Sequence, residues 1–290
     1  MSANSPVATL VEAPTPIKPR PRSEVLMRLV QPLAGVLIRG LGRTPVDPQA
    51  IVWTHATVGA VAALLVATGG TAALVVAAAA LQVRTLLDNV DGGLARATGR
   101  VTRMGRYLDS VLDTIVNALL FVALAVHGPG VWAWPLAALA FAVLMLVLSL
   151  DYNLERRYAE VRATRNPSRV DEPPIGAPPA LFALVKGAYD LLLAPQDRLI
   201  ARADDALFAL AHRRAGGGAV ELEHRLAWSD LFSSASLVNL GLATQMLVLS
   251  VCLVLGVPFV FVLFVLSQAL YVGVVQALRV ARYGRYRRGA

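Results

Sequence analysis

Four aspartates in one short stretch are the residues of this chain best suited to chemistry. They are Asp88, Asp91, Asp109 and Asp113, within the sequence DNVDGGLARATGRVTRMGRYLDSVLD. Spacings of three and four residues place both side chains of each pair on the same face of a helix. Two antiparallel helices joined by a short connection would therefore direct all four carboxylates into one cleft.

A cleft with four carboxylates needs counter-charge. Each buried carboxylate costs several kcal/mol unless it is paired or bound to a metal. Two divalent cations would balance the four negative charges. Because the aspartates offer only oxygen atoms, this pattern favours Mg²⁺ or Mn²⁺ over zinc.

The neighbouring residues suit a ligand that contains phosphate. Arg96 offers a planar, permanently charged fork for a phosphate, while Gly92, Ala95 and Gly105 carry little side-chain bulk where a nucleotide or a facing helix must come close. With metals polarising a phosphoryl group, one carboxylate could deprotonate an attacking hydroxyl. Asp113 lies furthest into the second helix and is the predicted base.

The composition places this stretch in a membrane protein. Of the 290 residues, 56% are hydrophobic and only 16% are charged, which is too apolar for a water-soluble domain of this length. The net charge of +8 comes from basic residues at the ends of apolar segments, so membrane lipids are the predicted partner and nucleic acid is not. The predicted fold is all-α, with several membrane-spanning helices.

Six apolar segments approach the length of about 20 residues that a helix needs to cross a bilayer. They cover approximately residues 51–68, 71–87, 108–126, 131–150, 231–255 and 258–280. Arginine-free and arginine-rich connections alternate along the chain, which places both termini and the aspartates on the cytoplasmic side. The predicted location is the plasma (inner) membrane.

The remaining segments complete a predicted division of the chain. Residues 1–22 form a disordered cytoplasmic tail, and residues 23–49 an amphipathic interfacial helix with a linker. The catalytic membrane core covers 50–152. Residues 153–230 are a cytoplasmic or interfacial insertion with amphipathic helices near 180–193 and 196–213, and 231–290 hold the last two spans and a basic tail.

The pattern D-x2-D-G-x2-A-R-x8-G-x3-D-x3-D resembles the signature of the CDP-alcohol phosphotransferases at all eight defining positions, and the resemblance covers roughly residues 23–150. Enzymes of that family move a phosphoalcohol from a CDP-alcohol onto a hydroxyl acceptor and release CMP. The resemblance implies that Asp88, Asp91, Asp109 and Asp113 bind metal, that Asp113 is also the base, and that the small residues and Arg96 shape the nucleotide site. It also implies six spans, an interfacial helix and a homodimer.

The leading functional prediction is therefore a transferase of phospholipid biosynthesis that uses CDP-diacylglycerol and a polar acceptor, such as glycerol phosphate or an inositol phosphate. Arg156 and Arg157 are the candidate contacts to the acceptor. Alternatives within the class are a soluble CDP-alcohol donor or a polyol acceptor. Alternatives outside it are a divalent-cation transporter, for which intramembrane aspartates are also typical, and a catalytically silent scaffold.

The histidines carry no predicted metal site. His55 lies in the first span beside Thr54, where a polar side chain usually forms a hydrogen bond between helices. A ligand role is the less favoured interpretation of His55. The other three histidines show no spacing typical of zinc.

Overall fold

A computed structural model of the chain describes residues 24–162 and 174–289, and in this part of the chain it contains helices and no strand. The predicted tail 1–22 and residues 163–173 of the predicted insertion lie outside the described residues. The helices are α1 Val25–Leu41, α2 Pro48–Thr68, α3 Thr71–Ala97, α4 Arg103–Val126, α5 Ala133–Val161, α6 Pro179–Leu192, α7 Ala194–Arg214, α8 Leu222–Trp228, α9 Leu231–Ala235, α10 Leu242–Val254 and α11 Val260–Gly289.

Five helical stretches are long and apolar enough to cross a membrane, which confirms an all-helical protein with several candidate spans. They are Pro48–Thr68, Thr71–Ala97, Arg103–Val126, Gly130–Val161 and Val260–Gly289. Several continue past the predicted limits, because helical hydrogen bonding does not stop where the apolar run ends. The second, for example, carries the first half of the aspartate motif as far as Ala97.

The prediction of one continuous span over residues 231–255 is wrong. Asp230 accepts a hydrogen bond from the Ser233 N–H at 2.8 Å and caps the short helix α9. The backbone is then extended at Gly241 before α10 begins. With 13 residues, α10 is only about 20 Å long at ~1.5 Å per residue, against a hydrocarbon thickness of ~30 Å.

The first three spans pack closely because small residues line their contacts. Ala62, Ala63, Ala77 and Ala78 are all at most 4% exposed, and such residues let helix backbones approach each other in a membrane. The tight turn between α2 and α3 needs a left-handed residue, which Gly69 provides with φ of 74°. This hairpin, with α4 beside it, positions the aspartates.

Helix α1 packs beside α3 at the end that carries the motif. Its Ala34 and Ile38 are buried in a cluster with Val90 and Leu94, whereas Leu29 is 73% exposed. The helix exists where the amphipathic pattern predicted it, and its position at a membrane interface remains a prediction. Glu24 lies just before α1 and accepts a hydrogen bond at 2.5 Å from the N–H of Thr244, which lies at the start of α10.

The two longer inserted helices, α6 and α7, fold back onto the motif-bearing core. Their bounds agree with the predicted helices to within two residues. The Tyr107 ring of α4 packs against Tyr189 of α6, with the ring centroids 4.8 Å apart. The segment that precedes α6 also pairs with α4, since the Arg103 and Met104 N–H groups donate to the carbonyls of Pro174 and Ile175. The insertion thus helps to hold the start of α4.

The last helix, α11, takes part in a group of buried charges, which we call the Asp204 cluster. Arg279 of α11 pairs with Asp204 of α7, with Nη1 2.7 Å from Oδ1. The same guanidinium lies over the Trp228 ring at 4.4 Å and donates to the Ser233 hydroxyl. This cluster ties α7, α8 and α9 to α11.

Candidate active site

The aspartates are positioned by the ends of α3 and α4. Asp88 and Asp91 lie within α3, and Asp109 and Asp113 lie within α4, so the three- and four-residue spacings place each pair on one helix face, as predicted. Helix α4 begins at Arg103, and the hydroxyl oxygen of the preceding Thr102 accepts a hydrogen bond from the Gly105 N–H at 3.0 Å. This cap fixes where α4 starts, and hence the depth of Asp109 and Asp113.

The structure brings all four aspartates, here named the aspartate cluster, around one buried histidine. His55 of α2 has Nε2 3.1 Å from Asp91 Oδ2 and 3.5 Å from Asp109 Oδ1, and its Nδ1 is 4.0 Å from Asp113 Oδ1. Asp88 offers an oxygen within 4.8 Å of the ligand atoms of His55, Asp91 and Asp109. Three helices therefore supply one compact group of charged and polar atoms.

His55 is a site residue that the sequence analysis did not assign. It does form a contact between helices, but its partners are the carboxylates of the motif. The distance of each residue from the end of its helix was the sequence signal that could have identified this contact. His55 lies seven residues after Pro48, and Asp91 lies six residues before Ala97, in two antiparallel helices. At ~1.5 Å per residue both side chains are about 10 Å from the same end.

Arg84 is the second unassigned site residue. Its Nη2 lies 2.5 Å from Asp113 Oδ1, and its side chain is only 1% exposed. Gly59 of α2 provides the space, because a Cβ atom there would lie 2.8 Å from the Arg84 Cδ and 2.6 Å from the Val116 Cγ1. A buried guanidinium thus supplies one positive charge to the aspartate cluster.

The residues predicted to shape a nucleotide site lie beside the cluster. The Arg96 guanidinium folds back over Gly92, where an added Cβ would be 3.2 Å from its Nη1. At Gly105 an added Cβ would lie 3.1 Å from the Thr102 hydroxyl. Ala95 is half-buried, two residues before the end of α3. Contact between these residues and a nucleotide remains a prediction.

The residues of the cluster fit a divalent cation. Asp109 Oδ1 and His55 Nδ1 are buried and have no hydrogen-bond partner in the described part of the chain. An unpaired buried polar atom costs about 1–3 kcal/mol, and a metal ion relieves that cost at a carboxylate oxygen. Four ligand atoms within 4.8 Å of one another can reach a single ion.

The two predicted acceptor residues have different surroundings. Arg156 lines a cavity of about 440 Å³ between α5 and the inserted helices, together with Tyr189, Arg198 and Arg202. Arg156 also donates to Asn153 Oδ1 at 3.1 Å and lies 3.8 Å from Glu160. Arg157 forms a closer ion pair with Asp205, with 2.7 Å between Nη2 and Oδ1. The cavity adjoins α4 through Tyr189, whose ring contacts that of Tyr107, two residues before Asp109.

The fold and the site together define a helical membrane protein with clustered acidic ligands at the ends of two antiparallel spans. The chain matches the CDP-alcohol phosphatidyltransferase family over residues 48–209. This match covers more than half of the chain, and the chain belongs to that family of transferases. The resemblance seen in the aspartate motif is thereby confirmed.

Three relatives show how far the similarity extends. The phosphatidylinositol phosphate synthase of Mycobacteroides abscessus is 32% identical over 165 residues, which cover 57% of this chain and 70% of the relative. The bifunctional IPC transferase and DIPP synthase of Aquifex aeolicus is 40% identical over 76 residues, 26% of this chain and 17% of that protein. The archaetidylinositol phosphate synthase of Pyrococcus horikoshii is 42% identical over 52 residues, 18% of this chain and 28% of that protein. The chain thus spans less than a third of the latter two relatives.

Proposed function

We propose that this protein transfers a phosphoalcohol from a CDP-alcohol to a hydroxyl acceptor in phospholipid biosynthesis and releases CMP. The donor in this proposal is CDP-diacylglycerol. The observation that carries it is the meeting of Asp88, Asp91, Asp109 and Asp113 at the ends of two apolar helices. Membership of the CDP-alcohol phosphatidyltransferase family supports the same reaction.

The aspartate cluster would hold two Mg²⁺ or Mn²⁺ ions. Bound there, divalent ions would polarise the phosphoryl oxygens and stabilise the charge that develops during transfer. Arg96 beside Gly92 supplies a permanent positive charge for the nucleotide phosphates. Gly92, Ala95 and Gly105 leave room for the nucleotide against the two helices.

Asp113 is the proposed general base. It accepts the proton of the acceptor hydroxyl while that oxygen forms a bond to the phosphorus of the phosphoalcohol. The bond between this phosphorus and the bridging oxygen breaks, and CMP leaves with that oxygen. The Arg84 Nη2 atom lies 2.5 Å from Asp113 Oδ1, and this charge-assisted hydrogen bond would fix the orientation of the carboxylate.

The proposed topology has six spans, with both termini and the active site in the cytoplasm and the body in the plasma (inner) membrane. The sixth span is the broken segment of α9 and α10, in which α10 is apolar but short. Arginine-rich connections beside the aspartate cluster support the orientation. The aspartate cluster lies near the ends of helices, where a water-soluble nucleotide can enter. This position also favours a transferase over a cation transporter, whose site is expected near the bilayer midplane.

The proposed acceptor is a polar alcohol that carries a phosphate, such as glycerol phosphate or an inositol phosphate. The cavity beside α5 supports this, because Arg156, Arg198 and Arg202 line it together with the polar groups of Tyr152 and Asn153. Guanidinium groups bind phosphate through paired hydrogen bonds, and the amide and phenol can bind hydroxyls. Arg157 is held by Asp205, and its proposed part is to support this wall of the cavity.

The reaction is tested with the purified full-length protein in lipid nanodiscs. Labelled CDP-diacylglycerol is supplied with a panel of acceptors, and CMP and the lipid product are both measured. We expect CMP release that requires Mg²⁺ or Mn²⁺ and one phosphate-bearing acceptor, and that is lost in Asp113→Asn. If no acceptor yields CMP, a lipid donor is wrong, and soluble CDP-alcohols are the next substrates to test.

The acceptor cavity is tested by a matched pair of arginine variants on α7. Arg198→Gln removes an exposed arginine that lines the cavity, whereas Arg214→Gln removes an exposed arginine at the end of the same helix that does not line it. We expect Arg198→Gln to raise KM for the acceptor with little change in KM for the donor, and Arg214→Gln to change neither. Equal effects of the two variants would place the acceptor elsewhere.

Native mass spectrometry of the same preparation tests the proposed homodimer.

A further inference from the structure

We propose that His55 is a nitrogen ligand of a divalent cation in the aspartate cluster, so that this site is not purely oxygen-based. The inference rests on the metal dependence of the proposed function and adds a ligand from a third helix. His55 is fully buried, and Nε2 faces two carboxylates at 3.1 Å and 3.5 Å. It is one of the four residues whose ligand atoms lie within 4.8 Å of one another.

A purely structural histidine explains the surroundings less well. With its proton on Nε2, His55 would donate to Asp91, but Nδ1 would be a buried acceptor without a partner in the described residues. Such an atom costs about 1–3 kcal/mol. With its proton on Nδ1 instead, Nε2 would direct a lone pair at carboxylate oxygens, which is unfavourable unless a cation lies between them. With both nitrogens protonated, the ring would be attracted to the carboxylates, but its Nδ1 N–H would still lack a hydrogen-bond partner, because Asp113 Oδ1 is 4.0 Å away.

Nε2 is the ring nitrogen that is placed to bind a metal. It faces Asp91 and Asp109, two of the expected ligands, and would complete a set of oxygen and nitrogen donors. Histidines that bind metals usually donate their other N–H to a carboxylate or carbonyl, which fixes the ring. The carboxylate oxygen near Nδ1 is Asp113 Oδ1, which at 4.0 Å is beyond hydrogen-bond distance, so this second bond would form only if the ring moved closer.

The inferred ligand has a consequence for metal choice. Mg²⁺ is a hard ion that is typically bound by oxygen, whereas imidazole suits transition metals. Affinity of a mixed site generally rises from Mn²⁺ through Fe²⁺ to Co²⁺. We therefore expect this protein to bind Mn²⁺ more tightly than Mg²⁺, and to lose that preference when His55 is replaced.

The other histidines have protein partners and serve as controls. His127 Nε2 lies 2.5 Å from the Val66 carbonyl oxygen, and His212 Nδ1 lies 2.6 Å from the Tyr283 hydroxyl. His224 Nδ1 accepts from the Glu221 N–H at 3.0 Å. None of the three belongs to a candidate metal group within the described chain.

Pulsed electron paramagnetic resonance of bound Mn²⁺ tests the proposal directly. The full-length protein in nanodiscs is titrated with Mn²⁺ and examined for the ¹⁴N coupling of a coordinated imidazole, with a ¹⁵N-histidine sample to prove its origin. We expect the coupling in the parent protein and in His127→Gln, and its loss in His55→Gln. Mn²⁺ affinity should fall at least about tenfold in His55→Gln, with a smaller change for Mg²⁺.

The outcomes separate this proposal from the proposed function. If Mn²⁺ binds to the parent protein without ¹⁴N coupling, the His55 ligand is wrong and the aspartate metal site stands. If Mn²⁺ does not bind at all, the metal-dependent reaction fails along with it. The ¹⁵N-labelled parent protein gives this answer even if His55→Gln does not fold.

Discussion

Two groups of charges, each with a buried guanidinium, join helices in this protein, and they differ in charge balance. In the Asp204 cluster, one carboxylate meets one guanidinium at 2.7 Å and also accepts from the Trp228 indole N–H at 3.3 Å. In the aspartate cluster, four carboxylates share one buried guanidinium, Arg84, and one histidine. Buried atoms without a hydrogen-bond partner occur in both clusters within the described residues, at Arg279 Nη2 in the first and at Asp109 Oδ1 and His55 Nδ1 in the second, so the difference lies in the charge.

The difference in charge balance bears on the role of each group. In a balanced buried pair each charge is compensated, and breaking the pair leaves an uncompensated charge. An excess of like charge is destabilising on its own and persists where a cation or substrate completes the site. The Asp204 cluster therefore stabilises the packing of α11, whereas the charge excess of the aspartate cluster supports its proposed role as a site for a positively charged ligand.

The largest expected contrast is in activity. Asp109→Asn should reduce CMP release by about 10²–10⁴-fold, by analogy with loss of an acid–base group, because it removes a carboxylate with a free oxygen from the site. It should not lower the unfolding temperature without metal, because it removes one of four mutually repelling charges. Thermal unfolding can be followed by thiol labelling of Cys252, the only cysteine, which is buried. A lower unfolding temperature would show that Asp109 is a structural residue.

The opposite behaviour is expected in the Asp204 cluster. Arg279→Met leaves Asp204 buried without its charge partner and should cost about 3–5 kcal/mol of stability. CMP release per folded molecule should stay near the parent value. Arg288→Met, at the exposed end of the same helix, is the control and should have little effect. Equal unfolding temperatures for the two variants would contradict a stabilising role for the pair.

The position of Arg84 can be perturbed from α2. Gly59→Ala places a Cβ 2.8 Å from the Arg84 Cδ, and such overpacking typically costs about 1–3 kcal/mol. We expect a lower unfolding temperature and weaker metal binding, because Arg84 would move against Asp113. Gly273→Ala, in α11 with open space around its added Cβ, should be neutral or stabilising. If Gly59→Ala behaves like Gly273→Ala, Arg84 is not confined by α2.

The smallest expected effect is a pH dependence at Asp230, which caps α9 beside the Asp204 cluster. Burial acts to raise the pKa of Asp230, but hydrogen bonds from Ser233 and Arg282 outweigh burial and hold this pKa below its ordinary value. A carboxyl whose pKa is lowered by folding stabilises the protein above its unfolded pKa and loses this contribution as pH falls through the folded pKa. The parent protein should therefore lose more stability than Asp230→Asn between pH 7 and pH 3. An identical loss in both would exclude this contribution.

Local sequence patterns were sufficient for much of the fold. Apolar runs predicted the long helices, and three- and four-residue periodicity predicted α6 and α7 to within two residues, because these patterns reflect interactions within one helix. The segment 231–255 was mispredicted as one helix, because its apolar character conceals the Asp230 cap and the extended backbone at Gly241. Hydropathy shows which segments are apolar enough to lie in a membrane, but it gives no information about where the backbone turns.

The sequence by itself determined the four aspartates, their spacing, the small residues around them and the helical membrane character of the chain. Each of these depends on residue type or on contacts a few positions apart along one helix. Only the tertiary structure decided that His55 faces the carboxylates, that Arg84 pairs with Asp113 through the space at Gly59, and that the inserted helices pack against α4. These contacts join residues 29 or more positions apart, and their existence depends on how whole helices are rotated and stacked against one another.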